Sequence, residues 1–458
     1  MSVLAIDQGT SATKAVVWSD AGLLSEVDVP VTGLTFSGDA VEQDPEAVWE
    51  SIVAAGRKAL DAAGVPVRAV AIGNQGETVL AWDRSTGRAL GPAVSWQDRR
   101  ASVITDALTP EQARMLEETT GLPVDPYFAA PKMAWVRRHL PDTLGADVVV
   151  TTLDVFLNHR LCGAFTTDAA TASRTQLLDP RRLTWSEEAL AAYDLPTDRL
   201  PHVAACDEVL GSTTAFGGTV TVAGAIVDQQ AALYAQGCTE PGAAKCTYGT
   251  GAFLLANVGS WHGASRSGLA TSIAWAMADG TVDACVDGQV YSAGSGVTWL
   301  QRVGLIPSPD RIDAMAASVP DTAGVRFEPA FAGRGAPHWE PGARAEITGL
   351  SLSTRPEHIV RAFVQGLADE VSDLARAVEG DLGSTLSALR VDGGLTRSEV
   401  LMQLQADALG IPVEVYPHTC ATALGIAALA LRALDGPAAA DAIVHGWQPS
   451  RVYEPSAT

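Results

Sequence analysis

Apolar and polar positions segregate sharply from the first residues of the chain. Val3, Leu4 and Ile6 predict a buried strand, Ala15 to Trp18 predict a second, and the acidic, glycine- and hydroxyl-rich stretch Asp7 to Lys14 lies between them as a turn. Ser19 to Gly22 reads as the next turn and Leu23 to Val29 as a third strand of an antiparallel meander. A helix follows: Asp44 is a good N-cap, Pro45 suits the first helical position, Val48, Ile52 and Ala55 recur at helical spacing, and Gly64 closes the segment. Val67 to Ile72 is a buried strand that runs into Asn74-Gln75-Gly76-Glu77-Thr78, and polar residues at such a strand end usually face a crevice. Val79 to Trp82 forms a further strand, after which Trp96 to Arg100 opens a new segment.

Residues 101 to 226 read as helical stretches alternating with loops, among them Asp125-Pro126-Tyr127-Phe128 and the helix-like Pro131 to Leu140. Glu240-Pro241-Gly242 separates the helical Gln229 to Ala235 from a new strand and is the best boundary candidate. Beyond it the opening pattern returns, since Cys246 to Leu255 is again strand, Gly-Thr turn, strand. The second half continues with a strand near Val282 to Val286, a helix from about Gly294, the Gly/Pro loop Phe331 to Trp339 and a long amphipathic helix from Glu357 to about Val378. Leu389 to Val391 is a buried strand feeding Asp392-Gly393-Gly394 and a helix from roughly Ser398, a geometry suited to contacting a nucleotide. The pattern predicts an α/β protein, and its order of meander, helix, strand and helix is that of the ribonuclease-H-like fold.

Length and composition narrow the picture. A chain of 458 residues exceeds what one core normally supports, so two domains are expected, residues 1–238 and 239–458. With 47% hydrophobic and 18% charged residues and no apolar run of membrane-spanning length, the chain reads as an ordinary cytoplasmic globular protein. Its six cysteines show neither CxxC nor paired-His spacing and read as buried small apolar residues. A net charge of −22 disfavours nucleic acid and anionic membranes as partners. An anionic substrate would then need local compensation, and with four lysines against 27 arginines Lys14 stands out.

The opening turn has two readings. It is a hairpin turn with ordinary turn residues, or it is a phosphate grip in which Gly9 admits an anion to the backbone, Thr10, Ser11 and Thr13 donate and Lys14 adds charge. Asp7 is suited to the Mg²⁺ that a nucleotide brings. The spacing is not that of a P-loop.

Eight motifs in order, DQGTSATK at 7–14, DPYF at 125–128, ASRT at 172–175, VDQQAAL at 227–233, YGTGAF at 248–253, GAPHW at 335–339, VDGG at 391–394 and TALG at 422–425, resemble those of the FGGY carbohydrate kinases, nearest to the glycerol kinases. The resemblance implies two ribonuclease-H-like domains of the actin, Hsp70 and sugar kinase superfamily flanking a cleft. The first would carry the acceptor site and first phosphate hairpin, the second most of the ATP site. It implies Asp228 as catalytic base, a role that a helix N-cap before Gln229 does not exclude. It places Gly76, Glu77, Trp96, Tyr127, Asp228, Gln229 and Phe253 around a small polyol or sugar, with Trp96 and Phe253 also readable as core aromatics. For ATP it implies Thr10, Ser11, Lys14, Thr250, Gly294, Thr298, Gly394 and Ser398, and for Mg²⁺ Asp7 and Asp228. A homodimer is compatible with this picture.

Two departures carry expectations of their own. Glycerol kinases read NQRET where this chain reads Asn74-Gln75-Gly76-Glu77-Thr78, so the arginine that grips two glycerol hydroxyls is missing and space is opened. A four- or five-carbon polyol or ketose is the expected acceptor. Family members for tetritols and some pentuloses show the same Gln-Gly-acid, and the Gln-Met-His usual in D-xylulose kinases is absent here. The stretch Ala215 to Val220 is short and lacks Lys and Arg, so the fructose bisphosphate inhibition of bacterial glycerol kinases is not expected. A nucleotide-gated ATPase or interaction protein of the same superfamily is the alternative, against which the polar set Glu77, Asp228 and Gln229 argues.

Overall fold

The computed structural model describes residues 2–141, 145 and 147–456. Its first half opens with β1 (Ser2–Gln8), β2 (Ala12–Ser19) and β3 (Gly22–Pro30), followed by α1 (Pro45–Ala63) and β4 (Ala69–Asn74). Asp44 caps α1 by accepting from the Glu46 amide, and Gly64 ends it in a left-handed conformation. After a peripheral sheet that pairs Val79–Asp83 with Val148–Thr152 come α2 (Ala169–Ser173), β5 (Val209–Thr213), β6 (Val220–Val227) and α3 (Asp228–Ala235). The main sheet has the order β5-β6-β4-β1-β2-β3, with β1 parallel to β4, β4 parallel to β6 and the remaining neighbours antiparallel.

The second half repeats this plan with β7 (Ala244–Tyr248), β8 (Ala252–Gly259), β9 (Ala270–Ala276), β10 (Val282–Val290), α4 (Gly294–Arg302), α5 (Pro356–Leu382), β11 (Leu389–Asp392), α6 (Glu399–Leu409), β12 (Val413–Val415), α7 (Ala421–Asp435) and β13 (Arg451–Tyr453). Its sheet runs β9-β10-β8-β7-β11-β12-β13, and β7, β11 and β12 are mutually parallel. The short likeness of the two hairpins in the sequence is thus one corner of a repeated topology.

Strand alternation sorts the core. Along β1, Leu4 and Ile6 face α1 together with Val70 and Ile72, while Val3 and Ala5 face the opposite way with Ala69 and Ala71. That second face packs on α3 and α7, which in turn pack against Leu255, Trp275 and Cys285 of the other sheet. Beyond that sheet α4, α5 and α6 complete a core that includes Leu254, Leu300, Phe363, Leu367 and Met402. The two sheets therefore sandwich one helix from each half, and the carboxyl ends of their central parallel strands open on the same side.

One expectation fails in the first half. The stretch 101–226 is not only helix and loop: its end is β6, a strand whose last residue directly precedes Asp228. A register shift between Val222 and Ala225, with Gly224 at φ 88°, breaks the period-2 pattern by which a strand is read. Among the described residues no helix is long and apolar enough to cross a membrane, and the six cysteines are all free, five of them buried.

Candidate active site

The ends of β4 and β6 and the turns of the β1–β2 and β7–β8 hairpins converge on one cavity of about 300 Å³. Ten of the residues singled out from sequence line it: Thr10, Ser11, Gly76, Glu77, Trp96, Tyr127, Asp228, Gln229, Thr250 and Phe253. Another cleft, of about 250 Å³, is bordered by Met133, Val149 and Leu200, and among the described residues no carboxylate lines it.

Asp228 stands at the first turn of α3, where the Gln229 amide donates to its Oδ1 at 2.7 Å. Burial, reinforced by the nearby Glu77 charge, pushes its carboxyl up to about 6, with Lys245 opposing. Gln229 is oriented from behind: buried Lys245 donates to its Oε1 at 2.6 Å, which leaves the amide NH₂ to donate elsewhere. Lys245 also donates to Thr247 Oγ1 at 2.9 Å, and Thr247 donates to Asp392 at 2.6 Å, at the end of β11.

Glu77 is 5% exposed and adopts φ 55°, a left-handed conformation that a residue with a side chain takes at a cost of about 1–3 kcal/mol. That distortion lies at the mouth of the crevice that the sequence placed after β4. Trp96 stands edge-on to both Tyr127 and Phe253, with centroids 6.0 and 6.1 Å apart, so the three aromatics form one wall. Trp96 Nε1 donates to Thr10 Oγ1 at 2.9 Å, and Thr10 donates to Gln75 Oε1 at 2.9 Å. The Thr10 hydroxyl is thus already used to lock the aromatic wall to the first hairpin.

The second hairpin turn is closed over α4, since Gly294 N donates to Gly249 O at 3.0 Å and a Cβ at Gly294 would lie 2.7 Å from that oxygen. Thr250, Thr298 and Gly394 are exposed at this end. Gly393 is required as glycine twice over, by φ 97° and by a Cβ position 2.4 Å from Tyr248 O.

The family model for the N-terminal domain of FGGY carbohydrate kinases matches residues 2–235, and that for the C-terminal domain matches residues 244–434. The chain belongs to the FGGY family of carbohydrate kinases. A glycerol kinase of Alkalilimnicola ehrlichii is 42% identical over 447 residues, covering 94% of this chain and 90% of that protein. A glycerol kinase of Thermus brockianus is 39% identical over 444 residues, covering 93% of this chain and 88% of its own. Among solved structures, Plasmodium falciparum glycerol kinase with ADP matches with a TM-score of 0.90 at 29% identity, over 99% of this chain and 94% of that one.

Two of the ATP-site candidates of this FGGY kinase have partners within the fold. Lys14 does not reach out freely from the turn: its ammonium is held by Glu26 at 2.6 Å and Asp28 at 3.1 Å, because β3 sets Asp28 directly beside it. Ser398 caps α6, accepting from the Leu401 amide, and donates to Asp313 at 2.6 Å, so its hydroxyl is committed within the fold. Asp7 lies opposite Lys14 on the hairpin, and Gly294, Thr298 and Gly394 flank the second turn without lining the cavity.

Sequence reasoning missed Arg174 and its partners. The FGGY kinase places this guanidinium in the cavity wall, donating through Nε to Glu77 Oε1 at 2.7 Å and through Nη1 to Asp287 of β10. All three side chains are nearly buried, and the triad ties Glu77 to the second half. The ASRT motif was the available signal; the partner 113 positions away was not. Three of the four lysines likewise serve the cleft region: Lys14, Lys245 and the buried Lys132, which donates to the carbonyls of Pro126, Tyr127 and Phe128 and fixes the loop carrying Tyr127. A tetrahedral ammonium suits three converging carbonyls better than a planar guanidinium does.

The element that presents Arg174 is itself sensitive to rising pH. Asp168 caps α2 at the Thr171 amide, and burial together with the neighbouring Asp154 pushes its carboxyl up to about 7. Asp154 is buried near Thr152 and Thr167 but meets neither in hydrogen-bond geometry, and burial raises it as well. Carboxyls raised in the fold bind more protons there than in the unfolded chain, so stability falls as pH rises through about 4 to 7. Asp154→Asn is expected to flatten this part of the Tm-against-pH curve relative to wild type. Parallel curves for the two proteins would refute the pairing of these carboxyls.

Proposed function

We propose that the protein transfers the γ-phosphoryl group of ATP to a primary hydroxyl of a four- or five-carbon polyol or ketose bound between Glu77, the aromatic wall and Gln229. The observation that carries the reading is the meeting of Asp228 and the donor-ready Gln229 amide with both hairpin turns around one small cavity. The coarser statement, ATP-dependent phosphorylation of a polyol or sugar, follows from membership of the family. Gly76 supports the finer one, because position 76 supplies no guanidinium to grip a vicinal diol and that of Arg174 is engaged by Glu77 and Asp287.

In this reading the acceptor hydroxyl lies within hydrogen-bond reach of Asp228, whose carboxylate takes the proton as the oxygen attacks the γ-phosphorus. Glu77, kept oriented by Arg174, accepts from a neighbouring hydroxyl, and the Gln229 amide donates to another. The backbone amides of the two Gly-Thr turns, not the Thr10 hydroxyl, face the transferred phosphate.

Asp7 and Asp228 suit a divalent cation. Burial and the charge of Asp228 push the Asp7 carboxyl up to about 8, and a bound dication relieves that condition. Among the described residues no group of three or more His, Cys, Asp or Glu is placed to hold a metal. ATP phosphates and water must complete the shell, as is usual for Mg²⁺. When bound, the ion supplies charge neutralisation of the phosphates.

Purified protein with Mg·ATP should release ADP only when an acceptor is added, with kcat/KM higher for a C4 or C5 compound than for glycerol. A far higher kcat/KM with glycerol would overturn the acceptor assignment, and acceptor-independent ATP hydrolysis would overturn the kinase mechanism.

A further inference from the structure

Gly76 has a neighbour that changes what its missing side chain means. Its backbone is outside the left-handed region, so conformation does not demand glycine there. Space is tight on one side: a Cβ on Gly76 would lie 3.0 Å from Val227 Cγ2, and apart from its chain neighbours no other residue would come within 4 Å of it. The room that the sequence suggests beside Gly76 is therefore bordered by a valine side chain. Val227 is 3% exposed, lines the cavity, and immediately precedes Asp228. Its backbone is fixed, since it ends β6 in register with Asn74 of β4, and its β-branched side chain has few rotamers to turn to.

We propose that Val227 is a specificity-determining residue: with Gly76 it forms a hydrocarbon wall beside Asp228, and the acceptor meets that wall with a C–H or methyl-bearing carbon. This inference rests on the acceptor site proposed above and deepens it. Around the same cavity the hydrogen-bonding side chains Glu77, Arg174, Gln229 and Asp287 come from other positions, so the acceptor is held by its hydroxyls there. At the Val227 wall neither methyl group can pair with a hydroxyl, and a hydroxyl turned towards it loses its hydration without a partner. The favoured substrates are polyols or sugars whose hydroxyls all lie away from this wall, including deoxy compounds that retain the reacting primary hydroxyl.

The test compares matched acceptors that differ by one terminal hydroxyl, glycerol with propane-1,2-diol and erythritol with its 1-deoxy analogue. An apolar wall discriminates weakly between such pairs, so wild-type kcat/KM values within a pair should differ by less than about 100-fold. Val227→Thr keeps the shape and replaces one methyl by a hydroxyl. It should shift the ratio towards the hydroxylated member by about five-fold or more while leaving the ADP dissociation constant within about two-fold. A ratio that stays within two-fold of wild type overturns the proposal. As a second arm, Gly76→Ala should impair acceptor kcat/KM, and Val227→Ala should relieve that effect in the double variant. Single effects that simply multiply also overturn it. If wild type turned over none of the acceptors, the kinase reading itself would fail, which is a different result from turnover with an unchanged ratio.

Discussion

Replacing Asp228 by Asn is expected to lower acceptor-dependent ADP formation by about 10²–10⁴-fold, the usual contribution of a positioned general base. Asparagine keeps the oxygen that accepts from the Gln229 amide, so the start of α3 and the placement of Gln229 should persist. What it removes is the only proton acceptor that the proposed mechanism gives the attacking hydroxyl. The loss should therefore appear in kcat, with the KM of the acceptor changing by only a few-fold, because the hydroxyls held by Glu77 and Gln229 keep their partners. Steady-state kinetics with a coupled ADP assay reads this split. A variant that retained more than a tenth of wild-type kcat would show that Asp228 serves chiefly as the helix terminus.

Arg174→Met is expected to cost about 3–5 kcal/mol of stability, since it strands two buried carboxylates, Glu77 and Asp287, without their common cation. The pH dependence distinguishes this from a packing defect. Burial already raises both carboxyls, and Arg174 is the group that opposes the rise. Without it their folded-state values climb further above the unfolded ones, so the folded variant binds more protons than the unfolded chain. Its stability must then improve as pH falls towards the acid side and worsen towards neutrality. Thermal unfolding between pH 5 and 8 measures this, and a Tm deficit that does not change over that range would refute the electrostatic account. Arg174→Lys should recover part of the stability but not the acceptor KM, because an ammonium cannot reproduce the two-edged grip on Glu77 and Asp287.

The parts of the fold that were legible in the sequence are those whose signals are local. The two hairpins were visible because Gly and Thr punctuate strands at a fixed spacing, and α1 because Asp44, Pro45 and Gly64 mark both its ends. β6 was hidden by its own bulge at Gly224, which shifts apolar residues out of alternation just where the strand delivers Asp228. That Glu77, Tyr127, Asp228 and Gln229 share one cavity was legible only through the order of the motifs that carry them. What could not be read was which groups are already spoken for. Lys14 reads as the charge of a phosphate grip, and in the fold Glu26 and Asp28, two positions apart on the next strand, face it. Ser398 offered a hydroxyl, but Asp313, 85 positions earlier, uses it. Gly76 suggested empty space, and Val227 borders that space from a distant strand. Each of these is a pairing with a residue far along the chain, for which a residue's type and spacing carry no signal.

The placement of α7 bears on how the protein is made. The face of the first sheet that carries Val3, Ala5, Ala69 and Ala71 is covered in part by a helix that ends at Asp435. A ribosome releases the first strands some four hundred residues before their cover emerges, and at ordinary elongation rates of about 5–20 residues per second that interval lasts on the order of half a minute. During it part of that apolar face lacks the helix that covers it in the finished structure. A fragment ending near residue 238 keeps α3 but lacks α7, so part of this sheet face would have no cover.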